Sequence, residues 1–303
     1  MQKFYSNGKL LLTGEYVVLD GAKALAVPTK FGQSLSVEQI NDAKVTWKSM
    51  DSNNITWFKT SFSLTELAKE NSIAKDAISK RLFQILKVAK ALNSNFLIGE
   101  MGYSVSSKLD FQRNWGLGSS STLLNNIAQW AKIDPFKLSD DTFGGSGYDI
   151  ACASSDSPIL YHLNANVPSI KQVYFNPSFK DSLYFVHLNQ KKDSREAIKT
   201  YHDNKRHISK TISKIDSITN ELKTCDSLTD FESLITSHES LIGTITNQTP
   251  IKSHLFGDFD NAIKSLGGWG GDFILATGTL EYVNSYFKSK GYNTIIPYSE
   301  MVL

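Results

Sequence analysis

The stretch Trp115-Gly116-Leu117-Gly118-Ser119-Ser120-Ser121-Thr122 sets two glycines and three serines directly ahead of the run 123–131. Glycine accepts positive φ and lets a backbone approach a ligand closely. In the run that follows, the apolar residues at 123, 124, 127, 128 and 131 fall on one helical face. The pattern is therefore a glycine-rich loop entering a helix N-terminus. Such an end presents unpaired N–H groups and the positive pole of the helix dipole, which suit a phosphate. Serine hydroxyls beside it can bond phosphate oxygens or ligate Mg²⁺, a hard ion that prefers oxygen. The stretch is not a Walker A loop, because no Lys follows the second glycine, and it lacks the G-x-G-x-x-G dinucleotide spacing. Taken alone, the same residues also read as a serine-capped helix after a tight turn.

The elements that must position this loop can be read along the chain. Its 303 residues allow two domains or one large one, and 41% hydrophobic with 20% charged residues is a globular composition. A formal net charge of +2 gives no reason to expect a nucleic-acid or acidic-membrane partner. Cys152 and Cys225 are the only cysteines, which argues against a disulfide framework. The first residues have no signal-peptide core and no run of about 18 apolar residues occurs, so a cytoplasmic protein is expected. Residues 8–21 read as two short strands, 33–39 as a half-buried strand, and 45–47 with 55–62 as a hairpin around Asp51-Ser52-Asn53-Asn54. A helix spans about 75–92, with Ile78, Leu82, Ile85, Leu86 and Ala89 as its stripe, and a strand is expected over 96–106. Asp134-Pro135 opens a helix, and 158–163 reads as a strand. Strands follow at 171–175 and 183–188. One long helix is expected from Asp193 to Leu222, and another starts at a Thr229/Glu232 capping box. The strand 273–277, a helix over 280–290 and a strand at 294–297 finish the chain. Runs of strands and runs of helices favour an α+β fold with mixed sheets.

Three glycine-rich segments stand at the start, middle and end of the chain: Gly8-Lys9-Leu10-Leu11-Leu12-Thr13-Gly14-Glu15-Tyr16, Gly116-Leu117-Gly118-Ser119-Ser120-Ser121, and Gly267-Gly268-Trp269-Gly270-Gly271-Asp272. In order and spacing they resemble the three motifs of the GHMP small-molecule kinases, a family that includes galactokinase, homoserine kinase, mevalonate kinase and phosphomevalonate kinase. The resemblance implies a two-domain fold. Residues 1–165 would form an ATP-binding domain like domain 2 of ribosomal protein S5, and residues 166–303 a ferredoxin-like domain. It also implies ATP and Mg²⁺, with phosphates on Gly116, Leu117, Gly118, Ser119, Ser120 and Ser121, Ser120 ligating the metal, and Gly267 and Gly268 helping to close the acceptor site. The stretches "GKLLLTGEYVVLDG" and "GSGYDIACA" are most similar to the phosphomevalonate kinases, pointing to the mevalonate pathway of isoprenoid biosynthesis. Two departures stand out. Trp269 replaces a usual glycine, and no acidic Mg²⁺ ligand aligns upstream of Asp149, although Asp140 and Asp141 lie nearby.

On this resemblance Asp149 is the expected base for the acceptor hydroxyl, or the group that orients an acceptor phosphate already ionised near pH 7. It could equally cap the helix that follows. Lys9 would balance charge as a point cation. Ser146 and Gly147 stand beside Asp149 as acceptor contacts. Lys191, Lys192, Ser194 and Arg195 form a basic cluster that suits a phosphorylated small-molecule acceptor or simply a solvated loop. Lys108 and Arg113, just before the loop, are similar candidates. The six histidines show no metal-ligand spacing and read mostly as surface residues. The expected activity is phosphoryl transfer from ATP, most closely to phosphomevalonate, by a monomer or homodimer. Mevalonate or another small alcohol is the alternative acceptor. Diphosphomevalonate decarboxylase, whose second motif usually has Ala at the position of Gly118, and a non-catalytic nucleotide-binding protein are the rival readings.

Overall fold

In the computed structural model, which describes residues 1–67, 76–165, 167–190, 194–206, 208–269 and 271–303 and all their side chains except 194–197, strands and helices come in runs. β1 (Gln2–Leu11) leads through a 3-10 turn, Val17–Asp20, to the long β2 (Ala24–Ile40). β3 (Lys44–Met50), β4 (Thr56–Ser63), α1 (Leu64–Leu67), α2 (Ala77–Leu92) and β5 (Gly102–Leu109) follow. Next come α3 (Ser119–Ala131), α4 (Pro135–Asp140), α5 (Tyr148–Ala153), β6 (Ile159–Asn164), β7 (Val167–Gln172) and β8 (Leu183–His187). α6 (Ser194–Asn204), α7 (Ser209–Leu222), α8 (Leu228–Thr246) and α9 (Ile251–Leu255) precede β9 (Ile263–Ser265). β10 (Phe273–Thr277), α10 (Leu280–Ser289), β11 (Ile295–Pro297) and α11 (Tyr298–Met301) end the chain. Among the described residues no helix is long and apolar enough to cross a membrane.

The chain divides into two units that interleave in sequence. The first comprises Met1–Gly8, Phe31–Arg113 and Leu117–Ser154, and the second Lys9–Lys30, Asn114–Gly116 and Ser155–Leu303. In the first unit β4, β3, β5 and β2 lie side by side in that order. The β3–β4 hairpin is antiparallel, with Val45 opposite Phe62, while β3 and β5 run parallel. One sheet face carries Leu35, Val37, Val45, Trp47, Phe62 and Val105, and α2 to α5 bury Leu82, Leu86, Leu124, Ile127, Leu138 and Ile150 against it. At about 25 cal/mol per Å² of apolar area removed from water, such a face is what holds a sheet and its helices together.

In the second unit β11, β8, β10 and β9 form an antiparallel sheet in that order. With helices between β8 and β9 and between β10 and β11, the connection is β-α-β-β-α-β, the ferredoxin-like topology expected. Its core joins Tyr184, Val186, Ile274, Ala276, Val283 and Phe287.

The structure corrects several expected elements. Residues 17–20 form a 3-10 turn rather than a second strand, because Gly14 at φ 89° and Tyr16 at φ 64° break the extended run. Val17 then buries against Tyr201, Ile242 and Trp269 without needing a sheet. The strand expected from Phe96 begins only at Gly102. Phe96 and Leu97 reach the core from a turn, where Lys90 Nζ donates to both of their carbonyls at 3.1 and 2.8 Å. β7 lies at Val167–Gln172 rather than over 171–175. The long helix to Leu222 is two helices, broken where Lys205 turns to pair with Asp20 at 2.7 Å. Ser227, not Thr229, caps α8 by accepting from Asp230 N at 3.3 Å, and Glu232 instead accepts from the Thr277 hydroxyl. Ile78, first in the α2 stripe, is 46% exposed.

Candidate active site

The glycine-serine loop is built from both ends. Its entry, Asn114–Gly116, belongs to the second unit. Asn189 N donates to His187 Nδ1 at 3.3 Å, which leaves His187 Nε2–H to donate to the Asn114 carbonyl at 3.2 Å. Trp115 lies edge-on to Phe273, with ring centroids 5.6 Å apart. Lys9, near the end of β1, donates from Nζ to the Gly116 carbonyl at 3.1 Å. Gly116 sits at φ 66°, and a Cβ there would overlap the carboxylate of Asp272, which is 6% exposed. Glycine is therefore required on two counts, conformation and close approach.

The remainder of the loop belongs to the first unit. Gly118 at φ 87° turns the chain into α3, which starts at Ser119. The helix is pinned by a buried polar face. Thr122 Oγ1 donates to Gln33 Oε1 at 2.6 Å, Asn126 Nδ2 to the Gln33 carbonyl at 2.8 Å, and Asn125 Nδ2 to Ser6 Oγ at 2.9 Å. Ser121 is buried and its hydroxyl donates to the Gly118 carbonyl at 2.8 Å, so it shapes the turn. Ser119 is half-buried and Ser120 exposed, and the Leu117 side chain is buried. The first N–H groups of such a helix have no intrahelical acceptor and point out along its axis.

α5 packs against α3, and Asn125 Nδ2 also donates to the Ala153 carbonyl at 3.2 Å. Gly147 at φ 79° opens α5, Ser146 is buried beside it, and Asp149 stands half-buried in its first turn. Asp149 Oδ1 accepts from Ile150 N at 3.1 Å. Thus the helix behind the loop and the short helix bearing Asp149 are tied within one unit. Asp140 and Asp141 are exposed where α4 ends. Among the described residues no group of three or more His, Cys, Asp and Glu could hold a metal ion. Arg113 stacks on Trp57, its guanidinium carbon 3.9 Å from the ring centroid. Lys191 and Lys192 lie outside the described residues. Ser194 and Arg195 fall in the first turn of α6, where no side chain is described.

Behind the first and third glycine-rich stretches, the second unit holds a charged cluster that the sequence reading missed. Glu15, Glu239 and Lys264 are 1%, 3% and 0% exposed. Lys264 Nζ bonds Glu15 Oε1 and lies 3.5 Å from Glu239 Oε1. Burial pushes both carboxyl groups above the usual carboxylate range, with the Lys264 charge pulling the other way. His238, fully buried, is held neutral by burial and by the same ammonium, and its Nε2 accepts from Gly14 N at 3.0 Å. With His187 this makes two buried histidines among the described residues, where the six had read mostly as surface residues. A signal was present: 238 and 239 fall on the face that Phe231, Ile235 and Ile242 bury, where apolar residues belong. Trp269 belongs to this cluster. It is 3% exposed, sits at φ 50°, and donates from Nε1 to Glu239 Oε1 at 3.2 Å.

Over nearly its whole length the chain has the fold of the GHMP small-molecule kinases. The phosphomevalonate kinase of Streptococcus pneumoniae, solved with phosphomevalonate and AMPPNP, is similar at a TM-score of 0.73 and 15% identity, covering 97% of this chain and 99% of that one. The mevalonate kinase of Methanococcus jannaschii gives 0.72 and 15%, with 97% and 96% covered. The galactokinase of Lactococcus lactis, solved with galactose, gives 0.65 and 15%, with 98% and 93% covered. No protein-family model matches the chain, and neither does any curated protein.

Proposed function

We propose that this chain is an ATP-dependent small-molecule kinase that transfers the γ-phosphoryl group of ATP to an isoprenoid-pathway acceptor, phosphomevalonate above all. The observation that carries the reading is the loop itself: glycines at positive φ turn it into the N-terminus of α3, and Lys9 holds its first glycine by the carbonyl. In this reading residues 1–165 serve as the ATP-binding domain and 166–303 as its partner domain. The N–H groups of Ser119, Ser120 and Ser121 hold phosphate oxygens, and the helix dipole favours their charge. Ser120, exposed at the first turn, fits as an oxygen ligand for magnesium, which usually binds through few protein ligands and the substrate phosphates. Bound there, the ion would neutralise charge on the triphosphate.

Phosphoryl transfer asks mainly for positioning and charge balance. An acceptor oxygen bonds to the γ-phosphorus while the bond to the ADP oxygen breaks. Asp149 takes the proton where the acceptor is a hydroxyl, and orients the acceptor where it is an ionised phosphate. Lys9 offsets developing negative charge. Ser146, Gly147, Gly267 and Gly268, with Lys191, Ser194 and Arg195, are the proposed acceptor contacts. The phosphomevalonate assignment draws on the stretch around Asp149 and on the likeness to a phosphomevalonate kinase solved with its substrate. ADP release from Mg·ATP, measured with phosphomevalonate, mevalonate, galactose and diphosphomevalonate in parallel, tests it. Turnover confined to phosphomevalonate is expected. Turnover confined to another acceptor would remove the substrate assignment; no turnover with ATP still bound would point to an untested acceptor or a nucleotide-binding protein, and no turnover with no ATP bound would remove the kinase assignment.

A further inference from the structure

We propose that Glu239, a residue of α8 outside all three glycine-rich stretches, positions the third of them for phosphoryl transfer. The inference deepens the kinase reading and rests on it. A carboxylate on the apolar face of a helix is costly to bury unless its lone pairs are met. Those of Glu239 are met by donors from one short segment. Ser265 Oγ donates to Oε2 at 2.6 Å and Trp269 Nε1 to Oε1 at 3.2 Å, with Lys264 Nζ 3.5 Å from Oε1. Ser265 and Trp269 bracket Leu266, Gly267 and Gly268, so one carboxylate staples both ends of that turn. The turn needs a staple, because Trp269 holds φ 50°. A side chain in the left-handed region costs roughly 1–2 kcal/mol.

α8 is shaped to admit the ring. A Cβ at Gly243, one turn beyond Glu239, would come within 3.1 Å of Trp269 Cη2 and 2.8 Å of the Gln248 carbonyl. On its other side the turn meets the loop entry. A Cβ at Gly267 would lie 3.2 Å from Asp272 Oδ2, and that carboxylate packs on the Cα of Gly116, whose carbonyl Lys9 holds. Glu239 thus reaches the phosphate loop through Trp269, Gly267 and Asp272, all within the second unit. This also explains how the chain tolerates tryptophan at a glycine position: the ring lies against Gly243, where no side chain stands in its way, and its Nε1 meets Glu239.

The test uses the full chain with Glu239→Leu, which fills the space without an acceptor, and Glu239→Gln, which keeps shape and one acceptor. Amide exchange over 265–273 should quicken about tenfold or more in Glu239→Leu while α10 and β8 keep their rates. Its kcat should fall roughly 10- to 100-fold, as expected for a misplaced reacting group, with KM for the acceptor little changed. Glu239→Gln should recover most of both. Exchange that rises evenly through the second unit, with kcat per folded molecule unchanged, would reduce Glu239 to a stability role and overturn the proposal. If the wild type itself neither binds Mg·ATP nor turns over, the kinase reading fails with it. A loosened 265–273 would then leave the staple as architecture without this chemistry.

Discussion

Lys264→Met removes the ammonium that lies between two buried carboxylates. Removing one partner of a buried ion pair costs about 3–5 kcal/mol, because the other charge stays behind without compensation. An independent limit gives a similar figure. A stranded carboxylate can escape by taking up a proton, at about 1.4 kcal/mol per pH unit above its ordinary pKa. That comes to about 3.7 kcal/mol at pH 7 and only about 1 kcal/mol at pH 5. Glu15 and Glu239 already lie above their usual range through burial, and losing the Lys264 charge removes the main influence that lowers them. The folded variant then binds more protons than its unfolded chain, so its stability falls as pH rises from the ordinary carboxylate range. Wild type and Lys264→Met should be unfolded in urea at pH 7 and at pH 5. The deficit should reach about 3–5 kcal/mol at pH 7, a Tm loss on the order of 10 °C, and shrink by at least half at pH 5. A deficit equal at both pH values, or none at either, would refute the idea that buried charge balance holds the first and third glycine-rich stretches together.

Lys9→Met should cut kcat about 100-fold or more in a protein that still folds by urea unfolding; equal turnover would remove its charge-balancing role. Gly116→Ala, forced into φ 66° against the Asp272 carboxylate, should cost at least about 1–2 kcal/mol in urea unfolding and raise the Kd for Mg·ATP. Its urea midpoint and ATP titration check both. His238 stays neutral far below its usual pKa of 6.5, through burial first and Lys264 second, whereas the unfolded chain takes up that proton. Wild-type stability should therefore drop as pH falls below about 6.5, by up to about 1.4 kcal/mol per unit. His238→Gln, which can still accept from Gly14 N, should remove that slope, and parallel Tm-against-pH curves would contradict the assignment.

The sequence shows most clearly what depends on local chemistry. Gly118 ahead of a 3.6-residue stripe marked the start of α3, and Asp134-Pro135 marked α4, whose cap accepts from Phe136 N at 2.8 Å. The resemblance that three glycine-rich stretches carry implied the two-domain α+β fold. What escaped were features set by distant partners. Val17 and Val18 looked like a strand because an apolar run has the same composition in a turn buried by helices far along the chain. The break between α6 and α7 falls where Lys205 meets Asp20, a pairing of residues 185 apart. Asp272 and Glu239 were passed over because their work is done against Gly116 and Trp269. Trp269 itself read only as a departure from the family's usual glycine, since nothing local reveals that Gly243 leaves room for its ring.

The most direct test of the central claim is transfer of labelled γ-phosphate from Mg·ATP to phosphomevalonate by wild type and by Asp149→Asn, with ATP affinity measured alongside. Asp149 lies in the first turn of a helix tied to the loop helix, so the isosteric change should leave the fold and ATP binding near wild type. Transfer should fall about 100- to 10,000-fold, the range for loss of a catalytic base or orienting group. Equal transfer by the two proteins would contradict the role of Asp149; no labelled product from wild type would contradict the phosphomevalonate assignment, and with no ATP bound either, the kinase reading as a whole.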